Sequence, residues 1–366
     1  MGKFKLPSIN LPQISLTAAR KEKLAVGLDI GSHAVKICQM SRSSDNSYRL
    51  MSLGSAQLPE GSVEDGMLQN PEEVARIISA LYKDLKIKDK KVAISISGYS
   101  VIVKKINLAV MTETELEAHI QSEAEQYIPF DIDDVYLDFQ DLKTNTEDED
   151  RTDVMLVAAK KEVVDGYLDM LRTAGLKPVI VDVDAFALEN AYEANFSLED
   201  TVALIDIGAS KMNINIIAHG TSTIARDVVL GSRQLSEQIQ SRFDISFEEA
   251  EALKFGREEA GDRQAELENL FTNTCTQWVM EIKRALDFFY SNYPDETIAK
   301  IVLSGGGARI QGIDRFFAEE CGIPVTIFDP FASVKQDSNK IDPEYVQYMA
   351  PEMTLAAGLA SRPTPL

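Results

Sequence analysis

The chain has 366 residues, of which 45% are hydrophobic and 26% charged, so it is long enough for two or more domains with a large buried core. Its formal net charge of −21 repels nucleic acid, and we therefore expect no nucleic-acid partner. The cysteines (Cys38, Cys275 and Cys321) form no CxxC pair, which argues against a zinc site or a disulfide framework and fits a reducing cytoplasm.

The beginning of the chain predicts neither a secretory signal nor a membrane span. No apolar run approaches the ~20 residues that cross a bilayer. The first 23 residues are locally basic and lack the continuous apolar core of a signal peptide. We expect residues 1–23 to be a flexible basic tail, for which weak contact with an anionic membrane surface is an alternative role.

The first folded unit is predicted over residues 24–100. Its opening strands form a β-meander over 24–30, 34–40 and 48–58. A helix then begins with Asn70 as N-cap and Pro71 at its first position, both residue types that favour a helix start. Residues 92–98 alternate between apolar and polar or small residues and are predicted to form a further strand.

Residues 101–180 are predicted to form a separate unit with the order β-α-β-β-α-β. Thr112 and Glu115 have the spacing of a capping box at the start of its first helix. An acidic loop over 143–152 joins two of its strands. This order suggests a small sheet that folds independently, followed by a connecting helix within 181–200.

The second half of the chain repeats the opening pattern. A meander is predicted over 201–232, and Ser246 and Glu249 form a second capping box at the start of a helical stretch. A buried strand enters a glycine turn over 300–312, a short strand follows, and the last six residues, SRPTPL, are predicted to be disordered. The boundaries predicted for these units are 201–240, 241–295, 296–330 and 331–366.

Two Asp-Ile-Gly segments occupy equivalent positions in the two meanders. VGLDIGSHAVKI (26–37) aligns with LIDIGASKMNI (204–214), and in both an apolar strand opens into a tight turn and a second strand. One such segment alone is a common hairpin turn. Two at equivalent positions indicate an internal duplication, with two similar halves that face each other across a cleft.

The paired turns predict a phosphate site. Glycine lets the backbone approach a ligand closely, and successive backbone N–H groups in such a turn bind anions. The strand ends carry Asp29 and Asp206, which are placed to hold a hydrated Mg²⁺ between phosphates. The other candidate phosphate-site residues are small, cationic or within the turns: Gly31, Ser32, His33, Ala34, Lys36, Gly208, Ala209, Ser210 and Lys211.

A third glycine turn, SGGGARIQG (304–312), points to a nucleotide rather than to phosphate alone. It follows a buried strand, and its glycines at 305, 306 and 307 suit close packing of a base or ribose. The predicted ligand is ATP or ADP. The sequence contains no Walker A motif and no GxSxG motif, and its histidines have no metal-ligand spacing.

The segments GLDIGSHAVK, LIDIGASKMNI and SGGGARIQG resemble the phosphate-1, phosphate-2 and adenosine motifs of the superfamily of actin, heat-shock chaperones and sugar kinases. Within it, EAEQYIPFDIDDVYLDFQ (123–140) is similar to the PilM family of type IV pilus assembly proteins, which is related to FtsA. The resemblance covers residues 24–360. It implies further nucleotide contacts at Gly231, Ser232, Glu251, Lys254, Gly305, Gly306, Gly307 and Ile310.

The resemblance also implies a fold and a function. The fold is an α/β, actin-like (ribonuclease H-like, duplicated) ATPase fold, with 24–100 and 331–366 as subdomain 1A and 101–180 as an inserted subdomain 1C. Residues 201–240 and 296–330 form subdomain 2A, and 241–295 form a helical subdomain 2B. The implied protein is a cytoplasmic ATP-binding scaffold with slow or no hydrolysis.

The implied partners are the membrane protein PilN and the pilus motor ATPases. The scaffold captures the N-terminal cytoplasmic tail of PilN and links the inner-membrane platform to the motors, so its contact with the membrane is peripheral and indirect. A small inserted unit leaves a groove in which an extended tail could dock. The oligomeric state stays open.

Two alternatives remain at this point. The first is an FtsA-like filament protein of cell division, but FtsA carries a C-terminal amphipathic membrane helix and this sequence ends in SRPTPL. The second is a small-molecule kinase of the same superfamily, which needs a catalytic base facing its substrate. Glu123 and Glu125 are the candidates for that base.

Overall fold

The computed structural model describes residues 23–43, 45–142, 150–338 and 340–364. The predictions for the basic tail over 1–22 and for most of the acidic loop fall outside these residues. The described helices of seven or more residues are α1 Pro71–Asp84, α2 Glu113–Glu123, α3 Lys161–Thr173, α4 Asp184–Glu193, α5 Arg233–Phe243, α6 Phe247–Lys254, α7 Gln264–Asn292, α8 Ile313–Cys321, α9 Pro343–Met349 and α10 Thr354–Ala360.

The strands belong to two large sheets, a small sheet and a hairpin. In chain order they are β1 Val26–Ile30, β2 Ala34–Arg42, β3 Tyr48–Gln57, β4 Val63–Glu64, β5 Met67–Leu68, β6 Lys91–Ile96, β7 Val101–Ala109, β8 Val135–Asp141, β9 Arg151–Lys160, β10 Lys177–Val183, β11 Val202–Ile207, β12 Met212–Ala218, β13 Thr221–Val228, β14 Lys300–Ser304 and β15 Val325–Ile327.

The two large sheets have matching topologies, as expected for a duplicated α/β fold. Their strand orders are β10-β6-β1-β2-β3 and β13-β12-β11-β14-β15. In each, the central strand that carries the Asp-Ile-Gly segment pairs antiparallel with the next strand of its meander. On its other side it pairs with a parallel strand, β6 for β1 and β14 for β11. The predicted fold class is therefore confirmed.

The inserted unit is smaller than its sequence suggested. Its sheet contains only β7, β9 and β8, and α2 packs on this sheet around Leu116 and Ile120 in a core of its own. The last two elements assigned to it lie elsewhere, since β10 pairs with β6 in the first large sheet and α3 shares a core with α1. The apolar run of β10 is typical of a parallel strand that is covered on both faces.

Helix α4 joins the two halves and is buried along nearly its whole length. Helix α10 packs against it so closely that a Cβ on Gly358 would lie 1.8 Å from the carbonyl oxygen of Ala187. On its other side α10 packs on the first sheet, where a Cβ on Gly27 would lie 2.0 Å from the carbonyl oxygen of Ala356. Glycine at both positions lets backbones meet directly.

The prediction of a disordered SRPTPL tail is wrong for residues 361–364. Thr364 donates its N–H to the carbonyl of Lys23 (2.8 Å), and Ala25 donates to the carbonyl of Arg362 (3.0 Å). The guanidinium group of Arg362 is buried, and its Nε lies 3.4 Å from a carboxylate oxygen of Asp182, which is fully buried. A buried carboxylate without a counter-ion is costly, so the ion pair with Asp182 stabilises the ordered position of residues 361–364.

The predicted helical stretch of the second half consists of α5, α6 and α7. The capping box at Ser246 and Glu249 is present, as is the one at Thr112 and Glu115. Trp278, Ile282 and Phe289 recur at helical spacing along α7 and are buried against the second large sheet. Within the described part of the chain, no helix is long and apolar enough to cross a membrane.

Candidate functional site

The two Asp-Ile-Gly segments form turns of the same hydrogen-bonded geometry. In the first, Gly31 donates its N–H to the carbonyl of Ala34 (3.1 Å); in the second, Gly208 donates to the carbonyl of Lys211 (2.9 Å). The N–H groups of the two residues between have no intramolecular acceptor among the described residues, in either turn. Free successive N–H groups in a tight turn are suited to bind an anion.

Both turns face one cavity of about 750 Å³ between the halves, a size typical of small-molecule sites. Most of the predicted site residues line it. They are Asp29, Gly31, Ser32, His33, Ala34, Lys36, Asp206, Gly208, Ala209, Ser210, Lys211, Ser232, Glu251, Lys254 and Gly306. Glu123 and Glu125, the candidate bases of a kinase, are not among the lining residues.

Four predicted site residues lie behind the cavity wall. Gly305 and Gly307 pack on Ile207 of β11. A Cβ added at Gly305 would lie 2.4 Å from the carbonyl oxygen of Ile207, and one added at Gly307 would lie 2.3 Å from its Cγ2. Gly231 packs equally closely on the carbonyl of Ala209, and Ile310 is buried in the core of the second half. None of the four is among the residues that line the cavity, and the glycines among them let the turns pack closely on their neighbours.

The carboxylates at the two strand ends differ in their partners. Asp29 faces Lys36 across the β1–β2 ladder, and the two side chains form an ion pair at 2.9 Å. Burial alone would lower the pKa of Lys36, but the charge of Asp29 raises it. Asp206 faces Asn213 at the equivalent register position and accepts a hydrogen bond from Ser304 (2.8 Å). Burial raises the pKa of Asp206 to about 6.

Lys211 is therefore not the counterpart of Lys36, although the sequence predicted both as cationic residues of the phosphate site. By turn geometry it corresponds to Ala34, and its ammonium group lies 2.7 Å from the carboxylate of Asp184. It also contacts the hydroxyl of Ser97 at the end of β6. The cation of the second turn is thus held by the first half.

The acidic residues fit a hydrated magnesium ion better than a direct metal cage. Asp29 and Asp206 both line the cavity, and each influences the pKa of its neighbours there. Across the described ranges, no group of three or more His, Cys, Asp or Glu residues is arranged to hold a metal. Mg²⁺ commonly keeps several waters and takes its remaining ligands from phosphate, which suits two carboxylates.

Polar and aromatic side chains cluster where the third glycine turn meets α6. Lys254 is buried and donates to Ser236 (2.8 Å) and to the carbonyl of Ser232 (3.3 Å), and it pairs with Glu251. Burial lowers the pKa of Lys254. Its ammonium group lies 4.5 Å from the centre of the Phe255 ring. This end of the cavity therefore contains a hydrogen-bonded cluster of polar side chains next to an aromatic ring.

Arg309 and Phe255 are site residues that the sequence reading missed. The Arg309 guanidinium lies over the rings of Phe255 (5.1 Å) and Tyr348 (4.6 Å) and pairs with Glu352 (3.1 Å). Arg309, Phe255 and Glu352 line the cavity. Their positions in the sequence could have indicated both residues, because Arg309 lies within SGGGARIQG and Phe255 directly follows Lys254.

The cavity also reaches the small three-stranded sheet. Its wall there is apolar and comprises Val101, Ile102, Val103, Pro129 and Phe130 from the inserted unit, with Ala225 and Val229 from the second half. Tyr99 stands at this end with 75% of its surface exposed. The segment EAEQYIPF, singled out in the sequence, supplies Pro129 and Phe130 to this wall.

A family model described as type IV pilus assembly protein PilM matches residues 27–364. The chain belongs to the PilM family. A solved structure titled PilM-PilN type IV pilus biogenesis complex matches with a TM-score of 0.81 and 28% identity, over 93% of this chain and 98% of that one.

Two more distant solved structures share the actin-like fold of this chain. The ethanolamine utilization protein EutJ from Carboxydothermus hydrogenoformans matches with a TM-score of 0.54 and 16% identity, covering 98% of this chain and 92% of that one. MreB5 of Spiroplasma citri bound to ADP matches with a TM-score of 0.51 and 13% identity, covering 93% and 95%. The family assignment places the chain in type IV pilus assembly.

Proposed function

We propose that the chain is an ATP-binding scaffold of type IV pilus assembly that captures the cytoplasmic tail of a PilN-like membrane protein. The observation that carries the nucleotide part is the pair of matched turns, each with free N–H groups, facing one cavity. A single glycine turn is common, whereas two of the same geometry on opposite walls suit a polyphosphate held from both sides.

In this proposal the turns at Gly31 and Gly208 hold the phosphates of ATP or ADP. Lys36 offsets part of the phosphate charge, and Asp29 and Asp206 hold water molecules of a bound Mg²⁺. Glu251, Lys254, Phe255 and Arg309 contact the ribose and base. The fold match to an MreB5 bound to ADP supports a nucleotide as the ligand.

Hydrolysis is proposed to be slow or absent without partners. Three of the carboxylates that line the cavity are engaged: Asp29 with Lys36, Asp184 with Lys211, and Asp206 with Ser304. A general base needs a free lone pair within reach of the water it activates. A scaffold that retains ATP is therefore favoured over a fast enzyme.

The tail-binding part of the proposal rests on the likeness to the PilM of a PilM–PilN complex and on the apolar wall of the cavity. Tails that enter a groove in extended form are bound by backbone hydrogen bonds and by side-chain pockets. The wall formed by Val101, Val103, Pro129 and Phe130 offers such pockets. Binding there would tie the protein to the inner membrane through its partner, and a link to the motor ATPases would complete the scaffold.

The partner proposal is tested by adding a labelled peptide with the N-terminal sequence of a PilN-like membrane protein from the same organism and measuring fluorescence anisotropy. We expect saturable binding, which Val103→Asp weakens by about tenfold or more because a charge enters an apolar wall. Val110→Asp is the matched control, since Val110 is 58% exposed outside the cavity. An absence of binding at high micromolar peptide would contradict this part of the proposal.

A further inference from the structure

Asp184 is a carboxylate of the cavity that the sequence reading did not single out. It is the first residue of α4, only 5% of its surface is exposed, and it lines the cavity with Asp29 and Asp206. Its carboxylate lies 2.7 Å from the ammonium group of Lys211, which belongs to the second phosphate turn. Asp184 is thus an acidic group that lines the same cavity as both phosphate turns.

The carboxylate of Asp184 is held by donors from both halves of the molecule. Its Oδ2 accepts from the Ser97 hydroxyl (2.6 Å) at the end of β6 and from the Lys211 ammonium group (2.7 Å). Lys211 lies in the second phosphate turn, so this ion pair joins the second half to the first. Burial acts to raise the pKa of Asp184, and Lys211 and the hydrogen bonds more than offset it, so its pKa is lowered.

Hydrolysis of ATP needs a proton acceptor near the γ-phosphate. A water oxygen forms a bond to the γ-phosphorus while the bond from that phosphorus to the β–γ bridging oxygen breaks, and ADP leaves with this oxygen. The attacking water gives up one proton in the process. A carboxylate beside the turns can take that proton only if one of its oxygens is free to contact the water.

We propose that Lys211 is a positioning residue that keeps Asp184 in an ion pair between the halves and so prevents Asp184 from deprotonating the water that hydrolyses ATP. The inference rests on the proposed ATP site and adds the residue that limits turnover there. Removing the ammonium group takes away one of the two donors of Oδ2, so that this oxygen can accept from the water, and it leaves the carboxylate charge in the cavity. The same change releases one tie between the halves.

The test compares steady-state ATP hydrolysis, at saturating Mg·ATP, of the full-length protein and of Lys211→Met, which keeps side-chain length but removes the charge. We expect kcat to rise by about tenfold or more, because general-base catalysis contributes ~10²–10⁴ in rate. The double variant Lys211→Met with Asp184→Asn is expected to return to the slow rate. The matched control Lys283→Met changes a half-exposed lysine outside the cavity and should leave kcat unchanged.

A Lys211→Met protein that folds, binds ATP and hydrolyses it no faster overturns the inference, as does a fast double variant. If Lys211→Met does not fold, Lys211→Leu removes the same ammonium group, and no rise in its kcat overturns the inference as well. Calorimetric binding of ATP to the unchanged protein separates the two proposals. If the unchanged protein does not bind ATP, the proposed ATP site is refuted. If it binds ATP but Lys211→Met hydrolyses ATP no faster, only the role of Lys211 is refuted.

Discussion

The guanidinium group of Arg309 lies 3.1 Å from the carboxylate of Glu352 and joins the third glycine turn of the second half to the C-terminal segment that packs on the first. The same guanidinium group lies 5.1 Å from the centre of the Phe255 ring and 4.6 Å from that of Tyr348. Both charges of the pair are largely buried. This contact therefore ties the two halves together at the end of the cavity formed by α6 and the third glycine turn.

Replacing Arg309 tests whether this end of the cavity holds the base. Arg309→Ala should weaken ATP binding by about 1–2 kcal/mol, roughly tenfold, because a stacking cation is lost. Isothermal titration calorimetry measures the change. Arg315→Ala on α8 is the matched control, since Arg315 is exposed and does not line the cavity. Equal affinities of the two variants would place the base elsewhere.

Glu189 should make stability depend on pH. It is buried on α4 and accepts a hydrogen bond from Ser222 of the second half; burial raises its pKa to about 7, and Glu193 and Asp182 act in the same direction. Because the folded chain binds this proton more tightly than the unfolded chain, Glu189 stabilises the fold below about pH 4.5, and that contribution is lost as the pH rises through about 7.

Glu189→Gln removes this titration while keeping a hydrogen-bonding group of similar size. At pH 8 the variant should be more stable than the unchanged protein, by up to about 3 kcal/mol. The difference should shrink at pH 5.5, where Glu189 is protonated in the fold. Chemical denaturation at both pH values measures it. A stability difference that is the same at both would show that Glu189 does not titrate in this range.

The close packing of α10 on α4 gives a stability prediction. Gly358→Ala places a Cβ 1.8 Å from the carbonyl oxygen of Ala187, so two backbones must separate. We expect a loss of about 1–3 kcal/mol in the free energy of unfolding. Gly166→Ala is the matched control, because Gly166 lies on an exposed face of α3 with nothing within 4 Å.

The control is expected to change stability in the opposite direction. Alanine is a better helix former than glycine by ~1 kcal/mol in a helix interior, so Gly166→Ala should stabilise the protein slightly. Urea denaturation followed by circular dichroism compares the two variants. A Gly358→Ala protein as stable as the control would mean that α10 does not pack on α4 as described.

Features encoded locally were accessible from the sequence. Both capping boxes, the Asn70 N-cap and the duplicated meanders depend on residues close together in the chain, and all are present. The twin turns followed from the same local pattern. That the two turns line one cavity was predicted from the duplication of the two halves and not from any single residue.

Features that depend on distant contacts were not accessible. The assignment of β10 to the inserted unit was wrong because its apolar run does not reveal which sheet covers it. The pairing of Lys211 with Asp184 joins residues 27 positions apart in different halves, and nothing near Lys211 in the sequence indicates it. The ordered Arg362 segment likewise depends on a carboxylate 180 positions earlier, which only the folded chain brings near.

The central claim is that the twin turns bind ATP, and calorimetric titration of ATP into Gly208→Val tests it most directly. The added Cβ lies 3.0 Å from the carbonyl oxygen of Lys211, inside the turn that presents the free N–H groups. We expect no detectable binding, with an unchanged circular dichroism spectrum and normal binding by Gly166→Val on the exposed face of α3. ATP affinity in Gly208→Val equal to that of the unchanged protein would contradict the claim.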